Sequence, residues 1–269
     1  MRTLSRKSTK KSVKSEKLEK GYILYKGASV LNDAPIVAIL TTKSNNAKTG
    51  NIPQIWILSD QLSPVEASAQ KLDDSVCGNC PLKQNIGGAC YVNLGQAPRA
   101  IYDGYKRGIY KDITKANKYP KRLIELLNSK PVRFGSYGDP AAVPYEIWAK
   151  TLEHTKAGHT AYTHQFNHKQ FDKRMMNFCM VSTETLKGTL KAQELGRTFR
   201  VGNEGGQILP NEIECPSDSE GIQCIDCRLC DGNIGDSVQN IVILSHGKRS
   251  KMHDKQYSKA NIIQTIAID

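Results

Sequence analysis

The sequence predicts an α/β fold with a partial or complete (β/α) barrel-like core, or alternatively an open doubly wound sheet. The main observation is that strand-like and helix-like segments alternate through the middle of the chain. The predicted strands there are residues 132–136, 159–166, 177–182 and 198–201, and the predicted helices are 144–156 and 184–195. A composition of 39% hydrophobic and 24% charged residues is typical of a globular protein that buries a core.

The remaining elements are shorter and lie on both sides of this alternating region. Their predicted bounds are strands 22–25, 35–41, 54–58 and 240–244, and helices 64–70, 98–108 and 120–128. Pro144 begins one predicted helix and Gly158 follows its end, which is the usual asymmetry of helix termini.

The sequence lacks the features that several classes of protein require, which excludes those classes. No apolar run reaches the length of a membrane span, and the N-terminus has no apolar signal region. We therefore expect a cytoplasmic protein without a membrane partner. No phosphate-binding loop, dinucleotide-binding glycine motif, zinc-protease motif or nucleophile elbow is present.

The positive charge is concentrated at the N-terminus. The formal net charge is +12, and the first 20 residues hold eight basic and two acidic side chains. These residues predict a flexible basic arm (1–20) ahead of a single metal-binding domain (21–269). The arm is either a nucleic-acid contact or a solubilising tail. A second basic cluster, read as a solvated loop, comprises Lys248, Arg249, Lys251 and Lys255.

Seven of the eight cysteines fall into two groups along the chain, and the second group predicts a closed metal site. In a reducing compartment, cysteine pairs at this spacing favour metal over disulfides. The cysteine-rich loop spans about 211–235, and its cysteines are Cys215, Cys224, Cys227 and Cys230. Three cysteines at successive spacings of three are similar to the ligand loops of [4Fe–4S] ferredoxins. Zinc is the alternative, although zinc more often takes two separated cysteine pairs.

The first group supplies only three cysteines, Cys77, Cys80 and Cys90. A zinc ion there needs a fourth ligand, for which a histidine is the best candidate. A [4Fe–4S] cluster would keep one iron without a protein ligand. S-adenosylmethionine binds such an iron in radical enzymes, but their usual Cys-x3-Cys-x2-Cys spacing differs from the spacing here. A purely structural metal is the competing interpretation. The eighth cysteine, Cys179, is predicted to be a buried thiol.

Polar residues at the ends of the central strands predict a site on that edge of the sheet. The candidate catalytic or substrate-contacting residues are Arg133, Tyr137, Asp139, His164 and Gln165. The candidate cofactor-binding residues are Gly135, Gly138, Ser182 and His246. Asp139 is either a cap of the turn or a ligand-binding group. His164 is an acid–base group, the missing metal ligand or a hydrogen-bonded structural residue.

These motifs together resemble a family of tailed-phage and plasmid proteins described as gene-product-88-like. The matching segments are 45–50, 77–91, 133–144, 161–165, 215–232 and the strand that leads to Ser245, His246 and Gly247. The resemblance implies an origin on a mobile element and the cytoplasm of a host cell. It brings no activity or catalytic residue with it.

Two functions from different classes follow from the sequence. The first is an iron–sulfur protein, a redox or radical-type enzyme that acts at an open cluster held by Cys77, Cys80 and Cys90. The second is a zinc-stabilised accessory protein that binds nucleic acid and has no catalysis.

Overall fold

Two β-sheets and short helices make up the fold. The computed structural model describes residues 16–116, 118–233, 238–246 and 249–258. The strands are β1 Gly21–Ala28, β2 Pro35–Thr41, β3 Gln54–Ser59, β4 Lys111–Asp112, β5 Val132–Tyr137, β6 His159–Thr160, β7 Tyr162–Thr163, β8 Met180–Thr183, β9 Thr198–Gly202, β10 Glu212–Glu214 and β11 Asn240–Leu244. The helices are α1 Pro64–Ala69, α2 Asp74–Cys77, α3 Ala97–Lys106, α4 Lys121–Ser129, α5 Tyr145–Leu152, α6 Leu186–Gln193, α7 Pro216–Ser219, α8 Cys224–Cys227 and α9 Ser250–Tyr257.

In both sheets most neighbouring strands are parallel. The first has the order β4-β1-β2-β3-β5-β6, and the second has the order β10-β11-β9-β8-β7. Among the described strands, only the β1–β2 and β2–β3 pairs are antiparallel. Strands β6 and β7 follow each other along the chain with only Ala161 between them. Ala161 accepts a bond from the Met180 amide at 2.9 Å and donates to the Cys230 carbonyl at 3.1 Å.

The α/β class is confirmed, but the described strands do not form a closed barrel. The first sheet continues from β3 through the antiparallel strands β2 and β1 and ends at β4. Within the described residues β4 pairs only with β1, and β10 pairs only with β11. The first sheet is therefore open at β4, and the second sheet is open at β10.

Buried apolar and aromatic side chains fix the central strand β5 against its neighbours. Phe134 on β5 meets Trp148 of α5 and Phe178 edge-on, each at 5.4 Å between ring centroids. Trp148 is fully buried and donates its indole N–H to the Pro140 carbonyl at 2.8 Å. Packing of this kind leaves the opposite face of β5 free to carry polar residues.

The predicted elements differ from the structure in a few definite places. The predicted strand 159–166 is only β6 and β7, and residues 173–177, next to the predicted strand 177–182, form a 3-10 helix. The short strands β4 and β10 were not predicted. The predicted basic loop after the last strand includes helix α9, while Lys248 lies outside the described residues.

Most of the predicted basic arm, residues 1–15, lies outside the described residues. The rest of it contacts the first sheet. The Thr42 hydroxyl donates to the Glu19 carbonyl at 2.9 Å, and the Lys121 amide donates to the Glu16 carboxylate at 3.1 Å. These bonds hold the segment just before β1 against the body of the protein.

His159 makes the stability of the fold sensitive to acid. Burial lowers its pKa, and its Nε2 lies 2.9 Å from the Phe178 carbonyl. Because the folded protein favours the neutral ring, stability is full above the unfolded pKa of about 6.5 and is lost as the pH falls through the lowered pKa. We expect His159→Gln to flatten this acid-side loss, as measured by urea unfolding between pH 7.5 and 4.5. An unchanged pH slope in H159Q would contradict this role.

Candidate functional site

All seven grouped cysteines line one cavity of about 330 Å³ at the carboxyl edge of the parallel strands. They are Cys77, Cys80, Cys90, Cys215, Cys224, Cys227 and Cys230. Because neighbouring strands are parallel, the loops that follow them meet at the same edge. Two cysteine groups that lie more than a hundred residues apart in the sequence therefore share one space.

Gln165 holds the backbone of the first cysteine loop. Its Oε1 accepts from the Asn79 amide at 2.9 Å, and its Nε2 donates to the Cys77 carbonyl at 2.9 Å. A Cβ on Gly78, which has φ +48°, would lie 2.1 Å from Gln165 Oε1. Gln165 was predicted to contact substrate or cofactor, whereas the structure gives its amide a positioning role toward Cys77 and Asn79.

His164 lies between a cysteine and a carboxylate. Its Nε2 is 2.6 Å from Glu184 Oε1, and Cys80 is an electrostatic neighbour of the ring. Burial lowers the pKa of His164, but the thiol and the carboxylate raise it further, so that the net shift is upward. A carboxylate that orients an imidazole in this way is the usual outer partner of a metal-bound histidine. Of the three predicted roles of His164, the structure shows the hydrogen-bonded one, and the roles of metal ligand and acid–base group stay predictions.

A tyrosine from a central strand interacts electrostatically with a cysteine in each group. Cys77 is a neighbour of the Tyr137 hydroxyl of β5, and Cys230 is a neighbour of the Tyr162 hydroxyl of β7. Burial raises the pKa of both tyrosines and of Cys77. Burial also raises the pKa of Cys90 to about 11 and that of Cys230 to about 12.

The segment 45–50 and Arg197 hold the second cysteine loop in place. The Cys224 amide donates to the Lys48 carbonyl, and the Ile225 amide donates to the Thr49 carbonyl, both at 3.2 Å. Arg197 donates to the Leu229 and Gly232 carbonyls and pairs with Asp231 at 2.6 Å. The Asn-Asn-Ala-Lys-Thr-Gly segment therefore acts as a support for the loop.

Asp139 ties three elements together at the end of β5. Its carboxylate accepts from the Ala141 amide at 3.0 Å, the Thr163 hydroxyl at 2.8 Å and the His164 amide at 2.8 Å. Its own amide donates to the Val76 carbonyl at 2.7 Å. Of the two predicted roles, the capping role is confirmed, and both carboxylate oxygens are occupied by bonds within the chain.

Arg133 of β5 lies between the two cysteine groups. It donates to the Tyr91 hydroxyl at 2.5 Å, and its guanidinium carbon is 5.9 Å from the Tyr162 ring centroid. The thiols of Cys224 and Cys230 are among its electrostatic neighbours. The residue predicted to contact substrate therefore faces the cavity.

The predicted cofactor-binding residues also line the cavity: Gly135, Gly138, Ser182 and His246. Gly138 has φ +81°, and a Cβ there would lie 2.6 Å from the Ile57 carbonyl oxygen, so the turn requires glycine. His246 is half-exposed at the rim, where its Nδ1 lies 2.9 Å from the Leu244 carbonyl.

Two cavity residues, Tyr91 and His253, and the carboxylate behind His164, Glu184, were missed in the sequence. Glu184 falls at the start of a predicted helix, Tyr91 follows Cys90, and His253 lies in α9, beyond the last predicted strand. Only Tyr91 had a local signal, its position next to a cysteine. The other two become site residues through tertiary packing.

The cysteines remain free thiols, and Cys179 is buried as predicted. Across the described ranges, no group of three or more histidine, cysteine or acidic side chains is arranged so that it could hold a metal ion as it stands. Metal binding at either cysteine group therefore requires the side chains to move toward each other.

Comparison of the chain with protein-family models, curated proteins and solved structures finds no match. The resemblance to the gene-product-88-like family stays a prediction. None of the helices in the described part of the chain is both long and apolar enough to cross a membrane.

Proposed function

We propose that the protein is an iron–sulfur protein that performs redox chemistry on a small molecule in the cavity between its two cysteine groups. The observation that carries this proposal is the convergence of seven free cysteines on one cavity. Cysteine thiolates are the standard ligands of iron–sulfur clusters. Structural zinc sites, in contrast, need no shared cavity.

The two groups have different donor sets, which supports different roles. The second group has four cysteines, enough to surround a cluster completely. The first has three cysteines and His164, whose Glu184 partner orients the ring toward Cys80. When bound, a cluster at the first group would supply one-electron transfer beside the cavity. We assign the reactive role to the first group and a closed, auxiliary role to the second.

The residues around the sulfur atoms fit this assignment. The Tyr137 and Tyr162 hydroxyls lie against Cys77 and Cys230, and hydrogen bonds to cluster sulfurs tune the reduction potential. Arg133 supplies a fixed positive charge next to the second group. The chain would thus favour the reduced, more negative state of a bound centre.

We also propose that the two sheets together form a partial (β/α) barrel. Only Ala161 separates β6 of the first sheet from β7 of the second, and its backbone bonds to residues next to the second sheet. The parallel strands then run as one series from β3 to β11, with the cavity at their carboxyl ends. This is where (β/α) folds carry their active sites.

A second function is favoured by one observation. Cys80, His164 and Glu184 stand in the order thiol, imidazole, carboxylate, which is also the arrangement of an activated cysteine nucleophile. This alternative requires no metal.

Anaerobic purification and visible spectroscopy test the proposal. We expect a brown protein whose absorption is bleached by dithionite and lost in air. Cys80→Ser should remove part of the absorption and Cys227→Ser another part, whereas Cys179→Ser, in the buried lone thiol, should leave it unchanged. Colourless protein with a single rapidly alkylated cysteine at position 80 would overturn the redox function and support the nucleophile.

A further inference from the structure

The cavity between the cysteine groups combines apolar walls with buried polar groups that have no partner. Leu82 and Val92 line the side of the first group, and Phe199 and Ile243 line the side of the second. Its volume of about 330 Å³ is in the range of small-molecule sites. Apolar walls of this kind fit the carbon skeleton of an organic ligand and do nothing for a metal alone.

Three of the five described residues with unpartnered buried side-chain atoms line this cavity. They are Arg133, through Nε, Ser136, through Oγ, and His253, through both ring nitrogens. Buried polar groups in folded proteins are nearly always hydrogen-bonded, so unpartnered groups gathered on one cavity wall indicate a missing partner.

The positive charge of Arg133 indicates that the missing partner is negatively charged. None of the ion pairs between described residues includes it, and its one hydrogen bond within the described residues goes to the Tyr91 hydroxyl. Arg133 as a whole is partly exposed, but its Nε is buried and unbonded, and a guanidinium in this setting binds planar oxyanions well.

His253 supplies a second polar contact. Its side chain is 3% exposed, and its nearest carboxylate, Asp254, lies 3.8 Å from Nδ1, beyond hydrogen-bond reach. The ring packs on Tyr257 at 4.8 Å between centroids. The ring therefore packs in the cavity wall with both nitrogens free of partners among the described residues.

We infer that the cavity binds a small organic anion with an apolar body, whose acidic group is held by Arg133 and whose second polar group bonds to His253 or Ser136. The inference rests on the proposed function only in naming the substrate class of the same cavity. It assigns His253 to ligand binding, a role that the sequence analysis did not foresee.

Fluorescence titration with anilinonaphthalene sulfonate, an anion with an apolar body, tests the site. We expect saturable binding that hexanoate displaces and that hexanol and hexylamine of equal chain length do not. Arg133→Gln should weaken binding at least ~10-fold, and His253→Phe, which keeps the ring on Tyr257, about fivefold. Arg174→Gln is the matched control, because Arg174 lies 4.4 Å from the Tyr145 ring outside the cavity.

Equal displacement by hexanoate and hexanol would overturn the anion site even if Arg133→Gln fails to fold. Undiminished binding to folded R133Q would overturn it as well. Metal content is measured on the same preparation. A metal-free protein that shows the Arg133 dependence contradicts the proposed function alone, and a metal-loaded protein without that dependence contradicts the ligand site alone.

Discussion

Replacement of Asp139 by alanine is expected to lower the free energy of unfolding by about 3–5 kcal/mol, because it leaves three buried donors without an acceptor. The carboxylate bonds to the Ala141 amide, the Thr163 hydroxyl and the His164 amide at the junction of the two sheets. Asp139 is only 7% exposed, so bulk water can replace little of the lost bonding.

Urea unfolding of D139A against the wild-type protein measures this effect. Asp172→Ala is the matched control, because Asp172 also caps a 3-10 helix, at the Arg174 amide, but is more exposed. We expect D172A to cost about 1 kcal/mol. If D139A and D172A lose the same small amount of stability, Asp139 does not join the two sheets.

Removal of the Arg200 guanidinium is expected to have an effect of similar size. Arg200 Nε and Nη2 bond to the two oxygens of Glu212 at 2.8 and 2.6 Å, and the two side chains are 1% and 0% exposed. Arg200→Met leaves Glu212 charged and unpaired inside the protein. Breaking a buried pair in this way costs about 3–5 kcal/mol.

The double variant R200M/E212M separates the contribution of the ion pair to stability from that of side-chain packing at the same positions. Replacement of both members should recover most of the lost stability, since an apolar pair avoids the cost of a buried charge. Arg174→Met, which removes an exposed ion pair with Glu146, should cost less than about 1 kcal/mol. A double variant as unstable as R200M would contradict the account of a paired charge.

The sequence predicts strands and helices well where the signal is local. The apolar runs of β2 and β11 were predicted with the bounds that the structure gives, because each strand is a continuous buried segment. The strand 159–166 was overestimated because Ala161 passes from one sheet to the other, which only tertiary pairing decides. The missed strand β10 has only three residues.

The cysteines of the candidate site were predicted from the sequence, but the residues packed around them were predicted only in part. Cysteine spacing is a local signal, and it identified all seven cysteines that line the cavity. The Glu184 contact with His164 and the place of His253 in the wall depend on packing between distant elements. Arg200 of β9 likewise depends on tertiary packing, since its side chain is paired with Glu212.

The most direct test of the two-centre account is the iron, sulfide and zinc content of anaerobically purified protein. Two triple variants are compared with the wild type: C77S/C80S/C90S and C224S/C227S/C230S. We predict about four irons and four sulfides for each intact cysteine group, so that each triple variant retains half of the wild-type content. Zinc in place of iron, or a metal content that neither triple variant changes, would contradict the account.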